Sequence, residues 1–410
     1  MNDPKNPLIA AGAVIDGFQI GAALHEGARG TIFEVLGDHA FPRILKAPRI
    51  GHGDPAESLL AYETEAMVMS VLTGEHVPRF VAAGDMSRTP YVVMERIEGD
   101  GLASLLGKPL PPERVAAIGT AIADALHDLH RQGVMHLDLK PDNVILRPDG
   151  RAVLIDFGLA HHARLPDLLA EEGRFLAGST SYVSPEQVQG SRSDLRSDLF
   201  ALGVLLYEAA TGELPFGTPA SMAGIRDRLW LDPVPPATRN PALPPWLQEV
   251  ILRALEPDAT TRYQTAAHIA FDLRHPEQIM LTERASRRRS DGVVARGRRW
   301  LAARNRNVPR LAVAERPRAP SPIVMVAVDT MHPDDPRQPA LQEAARRTLM
   351  MYDEVRVLCI SIVSAGPLVD TDGDSASAWH LEHLSRLRHW SRSLGLPPEQ
   401  LSLHVMEGLG

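Results

Sequence analysis

Apolar and polar positions along the chain fall into three regimes. Residues 18–24, 31–36, 43–47 and 91–95 are short, mostly apolar runs, and they predict strands. Between the third and fourth, residues 58–72 repeat apolar side chains on one helical face. After about residue 100 the pattern becomes mostly helical. Residues 115–130 predict an amphipathic helix, and 198–211 are so apolar that their helix must be buried. Pro111-Pro112-Glu113 marks a helix start, with proline in the first turn. A small strand-rich lobe followed by a larger helical lobe is the expected α+β shape. From residue 323 the pattern changes again. Runs 323–329, 355–363 and 401–406 predict strands, and 339–351 and 379–394 predict helices. Strand–helix alternation of this kind predicts a parallel α/β sheet.

Composition narrows the class. The chain has 410 residues, a formal charge of −8 and 44 % hydrophobic residues. That length suggests two or three domains at roughly 100–200 residues each. The apolar fraction excludes a wholly disordered chain. The single cysteine, Cys359, excludes a disulfide framework and a cysteine-based zinc site. The longest apolar runs, 199–207 and 323–328, fall well short of the roughly 18 residues a membrane span needs. The N-terminus lacks the basic start of a signal peptide, so a reducing, cytoplasmic location is expected.

The modest net charge hides an asymmetry: −13 over residues 1–283, +10 over 284–318 and −5 over 319–410. A basic stretch between acidic blocks reads as a linker between folded units. It lacks interleaved aromatics apart from Trp300, and no nucleic-acid partner is expected. His161-His162 and the His380, His383, His389 set have no cysteines or clustered carboxylates beside them, so they are expected to be solvated.

One segment carries the chemistry. His136-Leu137-Asp138-Leu139-Lys140-Pro141-Asp142-Asn143 is followed, thirteen residues after Asn143, by Asp156-Phe157-Gly158. Phosphoryl transfer is mostly positioning plus charge stabilisation. It needs a carboxylate beside the attacking hydroxyl, a cation near the transferring phosphoryl group, and oxygen ligands for magnesium. Asp138 suits the first role, Lys140 the second, and Asn143 with Asp156 the third. The combined pattern strongly resembles the catalytic loop and metal-binding motif of eukaryotic-type protein kinases, in the style of bacterial serine/threonine kinases.

That resemblance implies further parts. Leu24 to Phe33 looks like the glycine-rich strand–turn–strand, with Gly27, Gly30 and Ile32 around ATP and His25 where the family has its first glycine. Lys46 looks like the strand lysine that positions the ATP phosphates, although Ile44 stands where the family has a small residue. Glu63 and Glu65 both lie at a suitable distance to partner it. Glu65 fits better, because Leu72 then falls at the expected apolar position; Glu63 is expected to be a solvated face charge. Val92 to Ile97 resembles the hinge, with the backbone of Glu95 and Ile97 meeting adenine. Glu186, Asp198 and Arg262 look like structural supports that small-molecule kinases generally lack. Together these imply a bilobal kinase fold that uses ATP and Mg²⁺, with Mn²⁺ as a substitute. Its partners would be protein substrates with Ser/Thr acceptors, self-phosphorylation included; oligomeric state is left open.

Two departures shape the expectation. Leu137 stands where regulated kinases carry an arginine before the catalytic aspartate, a non-RD arrangement, and residues 159–177 contain no Ser, Thr or Tyr. Activity is therefore expected not to need a phosphate in the usual place. The second departure is the C-terminal block, similar to the start of universal stress protein domains, with Asp329 ending its first strand. That family is doubly wound α/β, and this block would be a partial unit, leaving an open sheet edge. The expected division is a leader at 1–17, a kinase domain at 18–282, an Arg-rich linker at 283–320 and the α/β unit at 321–410. The alternative is a pseudokinase-like nucleotide-binding signalling scaffold.

Overall fold

Antiparallel strands open the chain. In the computed structural model, residues 9–27, 30–48, 57–85, 89–171, 180–219, 222–289, 323–349, 356–364, 374–396 and 401–408 are described. Ala28, Arg29, Ser179 and the basic stretch from 290 to 318 lie outside the described residues. The first sheet runs β1 (Val14–Ile15), β2 (Phe18–Glu26), β3 (Gly30–Leu36), β4 (Arg43–Pro48), β6 (Val92–Glu95) and β5 (Phe80–Ala83), in that spatial order. Its pleat sorts the side chains. Phe33, Val35, Leu45, Ala47, Tyr91 and Val93 share one buried face with Ile20. Val92 and Met94 point the other way, into the main core. Lys46, between Leu45 and Ala47, takes that second face, paired with Ile32 and Val92 in register. Helix α1 (Glu57–Met69) crosses the same face and anchors there through Val68 and Met69.

The second lobe is helical. Its longest helix, α2 (Pro112–Arg131), buries Val115, Ile118, Ile122, Leu126 and Leu129, one face at helical spacing. Short helices α3 (Leu168–Glu171) and α4 (Pro185–Val188) precede α5 (Arg196–Thr211). Helix α5 is buried almost all round, as its apolar run demands, and Gly212 at φ 74° ends it. Then follow α6 (Met222–Arg226), α7 (Pro236–Arg239), α8 (Pro245–Ala254), α9 (Ala266–Arg274) and α10 (Glu283–Ser286). At Gly119 on α2 a β-carbon would come within 2.5 Å of a Leu206 methyl and 2.9 Å of one of Leu273, so any larger residue would force both side chains to shift. Short strand pairs brace the loops beneath the first sheet. These are β9 (Val144–Leu146) between β7 (Asp100–Gly101) and β10 (Ala152–Leu154), and β8 (Val134–Met135) with β11 (His161–His162).

The C-terminal unit is parallel α/β. Strands β12 (Ile323–Ala327), β13 (Arg356–Ser364) and β14 (Leu401–Gly408) lie side by side in sequence order. Helices α11 (Gln338–Leu349) and α12 (Asp374–Arg392) connect them. Val326, Val357, Cys359, Leu384, Leu387 and Trp390 form its own core, separate from that of the helical lobe. Burial pushes the Cys359 thiol up to about 11, so it is inert packing. His383 corrects the expectation of solvated histidines: it is 3 % exposed and meets Thr330 Oγ1 at 2.8 Å.

One buried ion pair ties the helical lobe together. Arg262 donates to both Glu186 oxygens, at 2.7 and 3.1 Å, and to the Arg196 carbonyl at 2.6 Å. Ser197 donates to Glu186 at 2.9 Å, and the guanidinium stacks on Phe200. Removing one partner of such a pair leaves an uncompensated buried charge. Arg262→Ala is expected to lower unfolding free energy by about 3–5 kcal/mol, measured by denaturant titration.

Candidate active site

The site is assembled where the two lobes face each other. Strand β4 delivers Lys46, whose Nζ donates to Glu65 Oε2 at 2.7 Å and to Asp156 Oδ1 at 2.9 Å. Burial pulls the Lys46 pKa down, but Asp156 and Glu65 outweigh it and hold the ammonium above its ordinary value. The lysine is therefore charged at any physiological pH. Glu65 projects from α1 and is 1 % exposed. Ala61, one turn earlier, packs against Gly158, where a β-carbon would lie 3.1 Å from its own. Helix α1 thus touches the loop after β10 through Ala61 at Gly158 and Leu60 at Leu159.

Glu63 is not the solvated charge expected from sequence. It is 6 % exposed, faces away from Lys46, and pairs with Arg388 of α12 at 3.2 Å. No local signal could have revealed this, because the partner lies 325 residues along the chain.

The loop after β8 is fixed by a single carboxylate. Asp198, at the start of α5, accepts from the His136 and Leu137 backbone N–H groups at 2.9 and 2.8 Å, and meets His130 Nε2 at 2.8 Å. Burial pushes Asp198 up, but His130, His136 and the Leu137 N–H outweigh it and leave the carboxyl below its ordinary value. Leu137 adopts φ 60°, a left-handed conformation that costs about 1–3 kcal/mol and persists only when its surroundings impose it. Here Asp198 grips its N–H, and Gln187 donates to its carbonyl at 2.9 Å. Its side chain is buried.

Held this way, the loop brings four groups together. Lys140 Nζ donates to Asp138 Oδ2 at 3.0 Å. Asn143 Nδ2 donates to the Asp138 carbonyl at 2.8 Å and to Oδ2 at 3.3 Å. The Asn143 backbone carbonyl accepts from Ile155 N–H at 3.0 Å, next to Asp156. Asp156 takes φ 64°, and Phe157 is fully buried against the His136 ring at 5.2 Å. Sequence reasoning missed the supports Gln187, His130 and Ala61, whose types are common and whose roles arise from distant contacts.

The remaining candidates line the sheet side. Gly27 N–H donates to Gly30 O at 2.9 Å, closing the β2–β3 turn. At Gly30 a β-carbon would fall 2.3 Å from the Ala47 carbonyl oxygen of β4, so the close approach of the two strands requires glycine. Ile32 pairs with Lys46 across β3 and β4, and Ile44 with Met94 across β4 and β6. Glu95 ends β6; its side chain turns to Arg147 at 3.0 Å, and Ile97 follows two residues on, half-buried.

A small antiparallel sheet over a helical lobe, with a lysine–glutamate–aspartate triad between them, is the architecture of a protein kinase. The chain belongs to that family: the protein kinase domain matches it over residues 19–272. Among similar proteins, serine/threonine-protein kinase Pkn1 of Myxococcus xanthus is 32 % identical over 68 % of this chain and 40 % of its own length. Serine/threonine-protein kinase PknB of Mycolicibacterium smegmatis is 36 % identical over 45 % of this chain and 30 % of its own length. PknB of Mycobacterium tuberculosis is 32 % identical over 53 % of this chain and 34 % of its own length. The chain therefore spans well under half the length of these curated relatives. Among the described residues, no helix is long and apolar enough to cross a membrane.

A depressed carboxylate stabilises the fold above its unfolded pKa and loses that contribution as pH falls through its folded value. For Asp198 the ordinary value is 3.8. Asp198→Asn should thus be destabilised most at neutral pH. Its deficit against wild type should shrink as pH drops below about 4, followed by urea unfolding at each pH.

Proposed function

We propose that the chain transfers the ATP γ-phosphoryl group to Ser or Thr hydroxyls of proteins, with Mg²⁺ as the bound metal. The observation that carries this reading is the co-location of Lys46, Glu65 and Asp156 beside a loop presenting Asp138, Lys140 and Asn143. Lys46, braced by Glu65, positions the ATP phosphates beneath Gly27, Gly30 and Ile32. The backbone of Glu95 and Ile97 receives adenine. Asp138 orients the acceptor hydroxyl and takes its proton as the new O–P bond forms and the bond to ADP breaks. Lys140, against Asp138, balances charge on the transferring group.

Asn143 and Asp156 fit a hard cation. The Asn143 amide nitrogen is committed to Asp138, which turns its oxygen outward. Among the described residues no cluster of three His, Cys, Asp or Glu forms a metal cage. Two protein oxygens suit Mg²⁺, which keeps waters and phosphate oxygens as its other ligands. When bound, it neutralises charge on the phosphates.

We read the enzyme as non-RD, active without a phosphate on the activation segment. In support, Leu137 is buried, and the loop around it is held by Asp198 and Gln187 rather than by a cation. Of the four described hydroxyls near the docking end, Tyr182 and Ser184 are engaged. Tyr182 donates to Glu208 at 2.7 Å, and Ser184, fully buried, caps α4. Thr180 and Ser181 are the more accessible acceptors for self-phosphorylation among the described residues. Lys140, two residues after Asp138, favours Ser/Thr over Tyr.

Asp138→Asn should lower transfer from radiolabelled ATP to a generic protein substrate by about 10²–10⁴-fold, with ATP affinity little changed. Undiminished transfer by this variant would refute the mechanism.

A further inference from the structure

Helix α1 has two working faces. Ala61 and Glu65, one turn apart, look toward Gly158 and Lys46. Glu63 lies on the opposite side of the helix and meets the C-terminal unit. Helix α12 is divided in the same way. Leu384, Leu387 and Trp390 fill the core of its own unit. Arg388, His389 and Arg392 turn toward the first lobe. Arg388 reaches Glu63 at 3.2 Å, Arg392 reaches the same carboxylate at 3.7 Å, and His389 reaches Asp85 at 3.7 Å. The central pair is buried from both sides, with Glu63 6 % and Arg388 7 % exposed.

This contact is charged, and the hydrophobic cores on either side of it are separate. Interfaces between domains of one chain are commonly polar and reversible. A paired carboxylate buried by docking can return to water when the unit leaves, so separation does not strand a charge inside a folded lobe. Docked, the unit fixes the outer face of α1 while the inner face holds the Glu65–Lys46 bond at 2.7 Å.

We infer that the C-terminal α/β unit is an intramolecular positioning partner of α1: by pairing Arg388 with Glu63 it holds Glu65 on Lys46, and its release slows phosphoryl transfer. Glu63 and Arg388 are positioning residues and touch neither nucleotide nor acceptor. The effect on rate rests on the kinase reading above; the effect on α1 does not.

The test uses the full chain as wild type, Arg388→Glu, Glu63→Arg and the double charge swap. Hydrogen–deuterium exchange over residues 57–69 reports α1 directly, and transfer kinetics report kcat. Each single variant should exchange faster in α1 and lose about fivefold or more in kcat, the range of ordinary coupling between sites. The double swap should restore both, which misfolding of a single variant would not allow. Single variants with wild-type α1 exchange overturn the inference, as does a double swap that stays as labile as the singles. Faster exchange with unchanged kcat overturns the regulatory half. A wild type that transfers no phosphate, yet shows the exchange pattern, counts against the kinase reading and leaves the docking of α1 upheld.

Discussion

The triad of Lys46, Glu65 and Asp156 is the constraint on which the rest of the structure turns. Its members come from a strand, a helix and a loop of the other lobe, so its two bonds join three separate elements. Lys46 is partly shielded, and its two carboxylates lie within 3 Å. At such distances and depth the attraction is stronger than between exposed charges in water. Around it the sheet rests on alternation, and the helical lobe on apolar faces together with the buried Arg262–Glu186 pair. The triad needs all three elements in register at once.

The catalytic loop obeys the same logic by other means. A single carboxylate, Asp198, organises two backbone N–H groups and a histidine, and so supports the left-handed turn at Leu137. In kinases governed by a phosphate, an arginine at this position gives the activation segment a hold on the loop. Here an apolar side chain fills that space, and the neighbouring support from Gln187 is neutral. Among the described residues, the backbone around Leu137 is held by hydrogen bonds from Asp198 on one side and Gln187 on the other.

Much of this was legible in the sequence, and what was not has a physical cause. The strands around Phe33, Leu45 and Val93 follow from alternation, and α2 and α5 from their apolar faces. The helices begin and end within a few residues of expectation, as at Pro112 and Gly212, where proline and glycine punctuate the chain. Strand β5, Phe80–Ala83, was missed because four residues with two alanines carry little periodic signal and pair with a register shift. The side chains that meet around Lys46 and Asp138 stood out in the sequence because their types recur at a recognisable spacing. Glu63, His383 and Gln187 were not. Their environments are set by partners far along the chain, and local pattern carries no record of such contacts. The C-terminal unit shows its α/β character in its alternation, but not the surface it presents to α1.

The contact between Gly158 and Ala61 has a consequence for how this chain can drift in evolution. The two positions lie 97 residues apart in sequence, yet they divide one small volume between them. With glycine at 158 nothing smaller is available, so growth at 61 finds no compensating loss across the contact. A β-carbon at 158 would sit 3.1 Å from that of Ala61, so α1, which carries Glu65, would have to give by a few tenths of an ångström. Selection on the lysine pair therefore reaches residues that carry no charge and touch no nucleotide. A survey of descendants of this chain should find the two sites frozen together, or changed together with the seating of the helix.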